Sequence, residues 1–142
     1  MFENKIIHNE NFYKLNENNF YLLGHIFETA YLFDKVKNKL INLGSFYGDP
    51  DCGLIDQNNE WCLVGGSALI LWNKKKILEI NDANLCWIHA IRQTDANKVQ
   101  ILTDPFANNS AVWELDTLTT KFAKIRDFDN YKNKEYTDII EW

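Results

Sequence analysis

The stretch TAYLFDKVKNKLINLGSFY (Thr29–Tyr47) decides the fold. Thr29–Asp34 is a run of aromatic and aliphatic residues, Lys35-Val36-Lys37-Asn38 is a polar turn, and Lys39–Tyr47 is a second apolar run. Such residues suit a pleated, half-buried surface, and polar clusters of Asn, Asp, Gly and Lys interrupt it, so the segment reads as a hairpin. The same grammar repeats downstream. Gly53–Asp56 and Glu60–Val64 flank Gln57-Asn58-Asn59, and Ser67–Trp72 and Lys76–Ile80 flank Asn73-Lys74-Lys75. Cys86–Arg92 and Lys98–Thr103 flank Thr94-Asp95-Ala96-Asn97, and Ala111–Asp116 and Phe122–Arg126 flank Thr117–Lys121. Helical periodicity is scarce. The expectation is an all-β chain: an antiparallel meander of ten strands forming a sandwich or partly open barrel.

Working outward, Phe20–Phe33 is a long apolar run that reads as one strand bulged at Gly24, or as a short helix. The tail Asn130–Trp142 places Tyr136, Ile139 and Ile140 at helical spacing, which allows a short C-terminal helix or a flexible tail. A gapless internal match aligns Tyr31–Phe46 with Trp113–Phe128, setting Asp34 against Asp116, Lys39 against Lys121 and Phe46 against Phe128. Both segments read as strand, turn, strand. A full propeller, at ~40–50 residues per blade, does not fit this length.

The chain has 142 residues, a size that suits a single globular domain over 1–142 with one core. Fifteen Lys and Arg against twenty Asp and Glu leave a formal charge of −5, which disfavours non-specific binding to a phosphate backbone. No stretch approaches the ~20 apolar residues of a membrane helix, and Met1–His8 lacks the pattern of a secretory signal. Cys52, Cys62 and Cys86 are odd in number and lack C-x-x-C spacing, which fits reduced thiols in the cytoplasm. Of the three, Cys52 is expected to be the most accessible, and Cys62 and Cys86 buried.

No catalytic motif stands out, and no cofactor or metal is expected. Cys86 and His89 are three apart on an expected strand, so they leave opposite faces. Asp49–Glu60 matches a calcium loop only at Glu60. Gly65-Gly66-Ser67-Ala68 is neither a nucleophile elbow nor a phosphate loop.

Charge is distributed unevenly. Leu40–Asn73 contains no Lys or Arg but holds Asp49, Asp51, Asp56 and Glu60. Beside Tyr47 and Trp61 these carboxylates read as an acidic, aromatic docking surface for a basic partner, or as a plain solvated edge. A small enzyme or ligand-binding domain with an aromatic pocket around Trp72, Trp87 and His89 is the alternative. Trp72, Trp87 and Trp113 are expected at least mostly buried. Cys86–Arg92, apolar on both faces, is expected to be a central strand.

In size, acidity, Asn-rich turns and the stretch FYGDPDCGLIDQNNEWCLVGG (Phe46–Gly66), the chain resembles the small acidic immunity proteins of bacterial contact-dependent and polymorphic toxin systems. The resemblance implies non-catalytic capture of a cognate toxin domain in the cytoplasm, with no nucleic acid or membrane as partner. Many such toxins are nucleases with basic clefts, which an acidic surface could occlude. The site residues on this reading are Tyr47, Asp49, Asp51, Asp56, Glu60 and Trp61.

Overall fold

The computed structural model describes residues 2–142; Met1, at the head of the N-terminal stretch read above, lies outside them. A short helix, α1 (Phe2–Ile7), precedes twelve strands in three four-stranded antiparallel sheets. Sheet one holds β1 (Phe12–Glu17), β2 (Tyr21–Ile26), β3 (Thr29–Asp34) and β4 (Lys39–Ser45). Sheet two holds β5 (Cys52–Ile55), β6 (Cys62–Gly65), β7 (Leu69–Trp72) and β8 (Ile77–Ile80). Sheet three holds β9 (Ile88–Asp95), β10 (Lys98–Thr103), β11 (Ala111–Asp116) and β12 (Phe122–Asp127). Strands pair only with their sequence neighbours within each sheet, so the chain is the all-β antiparallel meander that the hairpin spacing implies, with twelve strands rather than ten.

The sheets stack face to face in the order one, two, three. Leu23, Ala30 and Leu32 from sheet one meet Cys62, Val64, Ile70 and Trp72 from sheet two in one core. The alternate side chains of sheet two, Leu63, Leu69 and Leu71, meet Ile88, Val99, Ile101 and Leu115 of sheet three in a second core. Sheet two is therefore apolar on both faces, and every residue of β6 and β7 is buried. The first strands, β1, β5 and β9, begin at intervals of about 40 residues and pack side by side along one edge of the stack. Each sheet thus has the form of one propeller blade, but three are fewer than a closed propeller needs.

The internal repeat seen in the sequence marks equivalent positions of sheets one and three, and sheet two shares its key residue type. Asp34 ends β3, and its Oδ1 accepts the Val36 and Lys37 N–H groups at 3.0 Å each. Asn73 ends the segment after β7 and accepts Lys75 and Lys76 N–H at 3.2 and 3.0 Å. Asp116 ends β11 and accepts Leu118 and Thr119 N–H at 2.8 and 3.1 Å. A short side-chain carbonyl here replaces the backbone acceptor that a tight turn would otherwise need. The two N–H groups also hold the Asp116 carboxyl below its ordinary range.

Four expectations change. Phe20–Phe33 is two strands, β2 and β3, joined at Phe27-Glu28 with Phe27 left-handed at φ 48°. The irregularity attributed to Gly24 lies instead in β1, between Lys14 and Asn16. Cys86–Arg92 is not a central strand: β9 is an edge of sheet three, and a shift opposite Leu102 and Thr103 breaks its alternation, so Ile88 and Ile91 both reach the second core. Trp87 precedes the strand and is 54% exposed rather than buried. Finally, the tail forms no helix. Tyr131, Ile140 and Trp142 instead pack on Leu102, Val112 and Phe128, covering the outer face of sheet three. Arg92 donates to the Trp142 carbonyl oxygen and lies 4.0 Å from the centre of its ring. No helix among the described residues is long and apolar enough to cross a membrane.

Candidate functional site

The meander sends its connections alternately to two ends of the stack. At one end lie the turns β2–β3, β6–β7 and β10–β11 and the crossings from sheet to sheet. Tyr47, Asp49 and Asp51 are on the crossing into β5, Trp87 and His89 are at the start of β9, and Asp104 follows β10. Asp51, Trp87, His89 and Asp104 line a small cleft of about 180 Å³.

Backbone hydrogen bonds fix this end. Asp51 N–H donates to Gly65 O at 2.8 Å, and Ile88 N–H donates to Gly66 O at 2.8 Å, so both crossings are tied to the β6–β7 turn. Tyr47 N–H donates to Ser67 Oγ at 2.9 Å, and Gly48 N–H to Glu28 Oε2 at 2.8 Å. Gly48 is left-handed at φ 81°, which the crossing requires. Trp87 is left-handed too, at φ 51°, an uncommon conformation for a bulky residue. Its ring meets Tyr47 edge to face, with centroids 6.3 Å apart, and Tyr47 is 80% exposed. The Asp51 carboxyl is pushed above its ordinary range, chiefly by partial burial. His89 opposes the shift, Asp104 and Asp49 add to it, and His25 opposes it weakly. Chemically, the result is an edge-to-face pair of open aromatic rings beside three carboxylates.

The six residues expected to form one surface divide between the two ends. Tyr47, Asp49 and Asp51 belong to this end. Asp56, Glu60 and Trp61 lie at the other, because β5 and β6 run the length of sheet two between them. Asp56 is buried, not exposed: its Oδ1 accepts Gln93 Nε2–H at 2.8 Å and its Oδ2 accepts Glu60 N–H at 3.0 Å. Trp61 is buried in the second core and its Nε1–H donates to Ala96 O at 3.2 Å. Glu60 is exposed and pairs loosely with Lys74 at 3.8 Å. Trp61 faces the second core with Leu63, while Glu60, in the turn before β6, is left in solvent. The alternative pocket does not assemble either: Trp72 lines a cleft at the opposite end from Trp87 and His89. Asp104 escaped the sequence reading because it stands before Pro105 and reads there only as a turn residue.

Of the thiols, Cys62 is buried as expected, whereas Cys86 is not. Burial, with Asp51 alongside, pushes Cys52 up to about 12, and burial pushes Cys62 up as well. Cys86 is only partly buried. Alkylation of the native protein at neutral pH should therefore label Cys86 first, with Cys52 and Cys62 following only on unfolding. Mass spectrometry showing Cys52 labelled ahead of Cys86 would contradict this order. Among the described residues no three His, Cys, Asp or Glu side chains converge as a metal ion would require. Comparison with known proteins found no matching family model and no matching curated sequence.

Proposed function

We propose that this chain is a non-catalytic binding protein, an immunity protein that neutralises a cognate bacterial toxin domain by covering its basic surface. The observation that supports this reading is the exposed Tyr47–Trp87 pair beside Asp49, Asp51 and Asp104. Large aromatic rings held rigid in solvent anchor protein interfaces, because they bury much area at little entropic cost. Carboxylates around them speed encounter with a cationic face and repel acidic competitors. The partner is the toxin domain, and the site is revised from the sequence reading: Tyr47, Asp49 and Asp51 stay, Trp87 and Asp104 enter, Asp56 and Trp61 leave as structural residues, and Glu60 leaves with the opposite end.

The test is protection of cells from a toxin domain encoded beside this gene. Replacing Asp49, Asp51 and Asp104 by Lys should slow association by about tenfold or more and flatten its salt dependence, with the thermal midpoint nearly unchanged. Protection should fail at normal expression. Full protection by this variant would remove the surface from the interface, and a gene neighbourhood without a toxin would overturn the immunity reading itself.

A further inference from the structure

The other end of the stack carries a second, larger feature of opposite charge. A cleft of about 470 Å³ opens between sheets one and two. Phe20 and Tyr21 enter it from the β1–β2 turn, Val36, Lys37 and Lys39 from the β3–β4 turn, and Trp72 and Lys74 from the β7–β8 turn. Cavities of this size take small molecules rather than single ions.

Charge in the cleft is reversed relative to the chain. The protein carries a formal charge of −5, yet three ammonium groups line this one cavity against a single carboxylate, that of Asp34. Lys39 and Lys74 are the two basic residues that bracket the long base-free stretch of the sequence, and the fold brings them to one place. Lys37 and Lys39 form no ion pair among the described residues, and Lys74 forms only the loose one with Glu60. Asp34 Oδ1 is already engaged by the N–H groups of Val36 and Lys37.

A hydroxyl donor on a largely buried ring stands among these cations. Tyr21 is only 8% exposed and its ring is held edge-on by Trp72 at 5.5 Å. Its hydroxyl has no hydrogen-bond partner among the described residues, although it lines the cleft. The hydroxyl opens to the cleft, where water or an anionic oxygen can accept from it. The rest of the wall is Asn59, Ile41, Trp72, Phe20 and Val36, of which Phe20 and Val36 are open to solvent. Their surfaces suit a flat ring.

We propose that this cleft binds a small planar anion: a ring system carrying a phosphate or carboxylate group, with the ring against Phe20 and Val36 and the anion among Tyr21, Lys37, Lys39 and Lys74. The site is at the opposite end from the aromatic and acidic surface, so its fate is separate from the function proposed above.

Titration of the full chain with naphthyl phosphate and naphthoate, followed by backbone amide shifts, tests the proposal. Naphthol and inorganic phosphate serve as controls. Both aromatic anions should shift the amides of residues lining the cleft and bind at least about tenfold tighter than either control. Joint replacement Lys37→Glu and Lys39→Glu should weaken binding by about tenfold or more. Tyr21→Phe, which removes a hydroxyl that no other described residue contacts, should weaken it severalfold while leaving the thermal midpoint nearly unchanged. The proposal is overturned if naphthol binds as tightly as its phosphate, if inorganic phosphate alone does so, if the charge-reversed variant binds unchanged, or if neither aromatic anion shifts these amides.

Discussion

Trp61→Ala should lower the folding stability by about 3–5 kcal/mol, the range for deleting a large buried aromatic side chain. Trp61 sits in the core between sheets two and three at 3% exposure, and its indole N–H is satisfied by the Ala96 carbonyl. Removing it leaves a cavity in the layer that joins two sheets and an orphaned carbonyl in a turn. For a chain of this length each kcal/mol moves the thermal midpoint by about 2–4 °C, so a large drop is the expected reading. Urea unfolding should show the midpoint shifted with its slope retained. A variant as stable as the parent but deficient in partner binding would return Trp61 to the interface, where the sequence alone had placed it.

The second large effect is expected at Gly24. A Cβ there would stand 2.5 Å from the Tyr13 carbonyl oxygen and press into the Phe12 ring. The Phe12 ring can turn aside, but the carbonyl is backbone and retreats only by parting β1 from β2. Gly24→Ala should therefore cost about 3 kcal/mol or more, at the upper end of overpacking effects, with amide protection lost first in β1. Gly48→Ala is the matched control. It meets open space but sits at φ 81°, so only local backbone strain of about 1–2 kcal/mol applies. Equal losses at the two positions would show that contact at Gly24 is not what matters.

Most of the fold is legible in the residues because each hairpin announces itself locally. Asp34, Asn73 and Asp116 are turn formers, and the apolar runs beside them alternate or persist as burial demands. The β2–β3 turn is illegible for the complementary reason. Phe27-Glu28 contains no Gly, Pro, Asn or Asp; the pairing of Ile26 with Thr29, the Phe27 O contact with His25 and the Glu28 O contact with Phe46 hold the chain in that conformation. The stacking of three sheets is likewise invisible, since nothing local says that Val64 and Leu63 serve two different cores. For the site, composition located the base-free stretch and half of its aromatic and acidic surface. It could not separate Asp51 from Asp56, two carboxylates five residues apart that the strand between them carries to opposite ends. Trp87 was read as a core residue because hydrophobicity says nothing of a left-handed backbone that turns the ring outward.

Pairing of every strand with its immediate neighbour in the chain has a kinetic consequence. No strand must wait for a distant segment before its ladder forms, so the loop-closure entropy of each step is small. The contact order is low for an all-β protein, and folding should be fast for that class. Emerging from the ribosome amino end first, sheet one has all four of its strands before the first residue of sheet two is made. Each later sheet then docks on a template already in place, and the carboxy-terminal residues that cover sheet three arrive last.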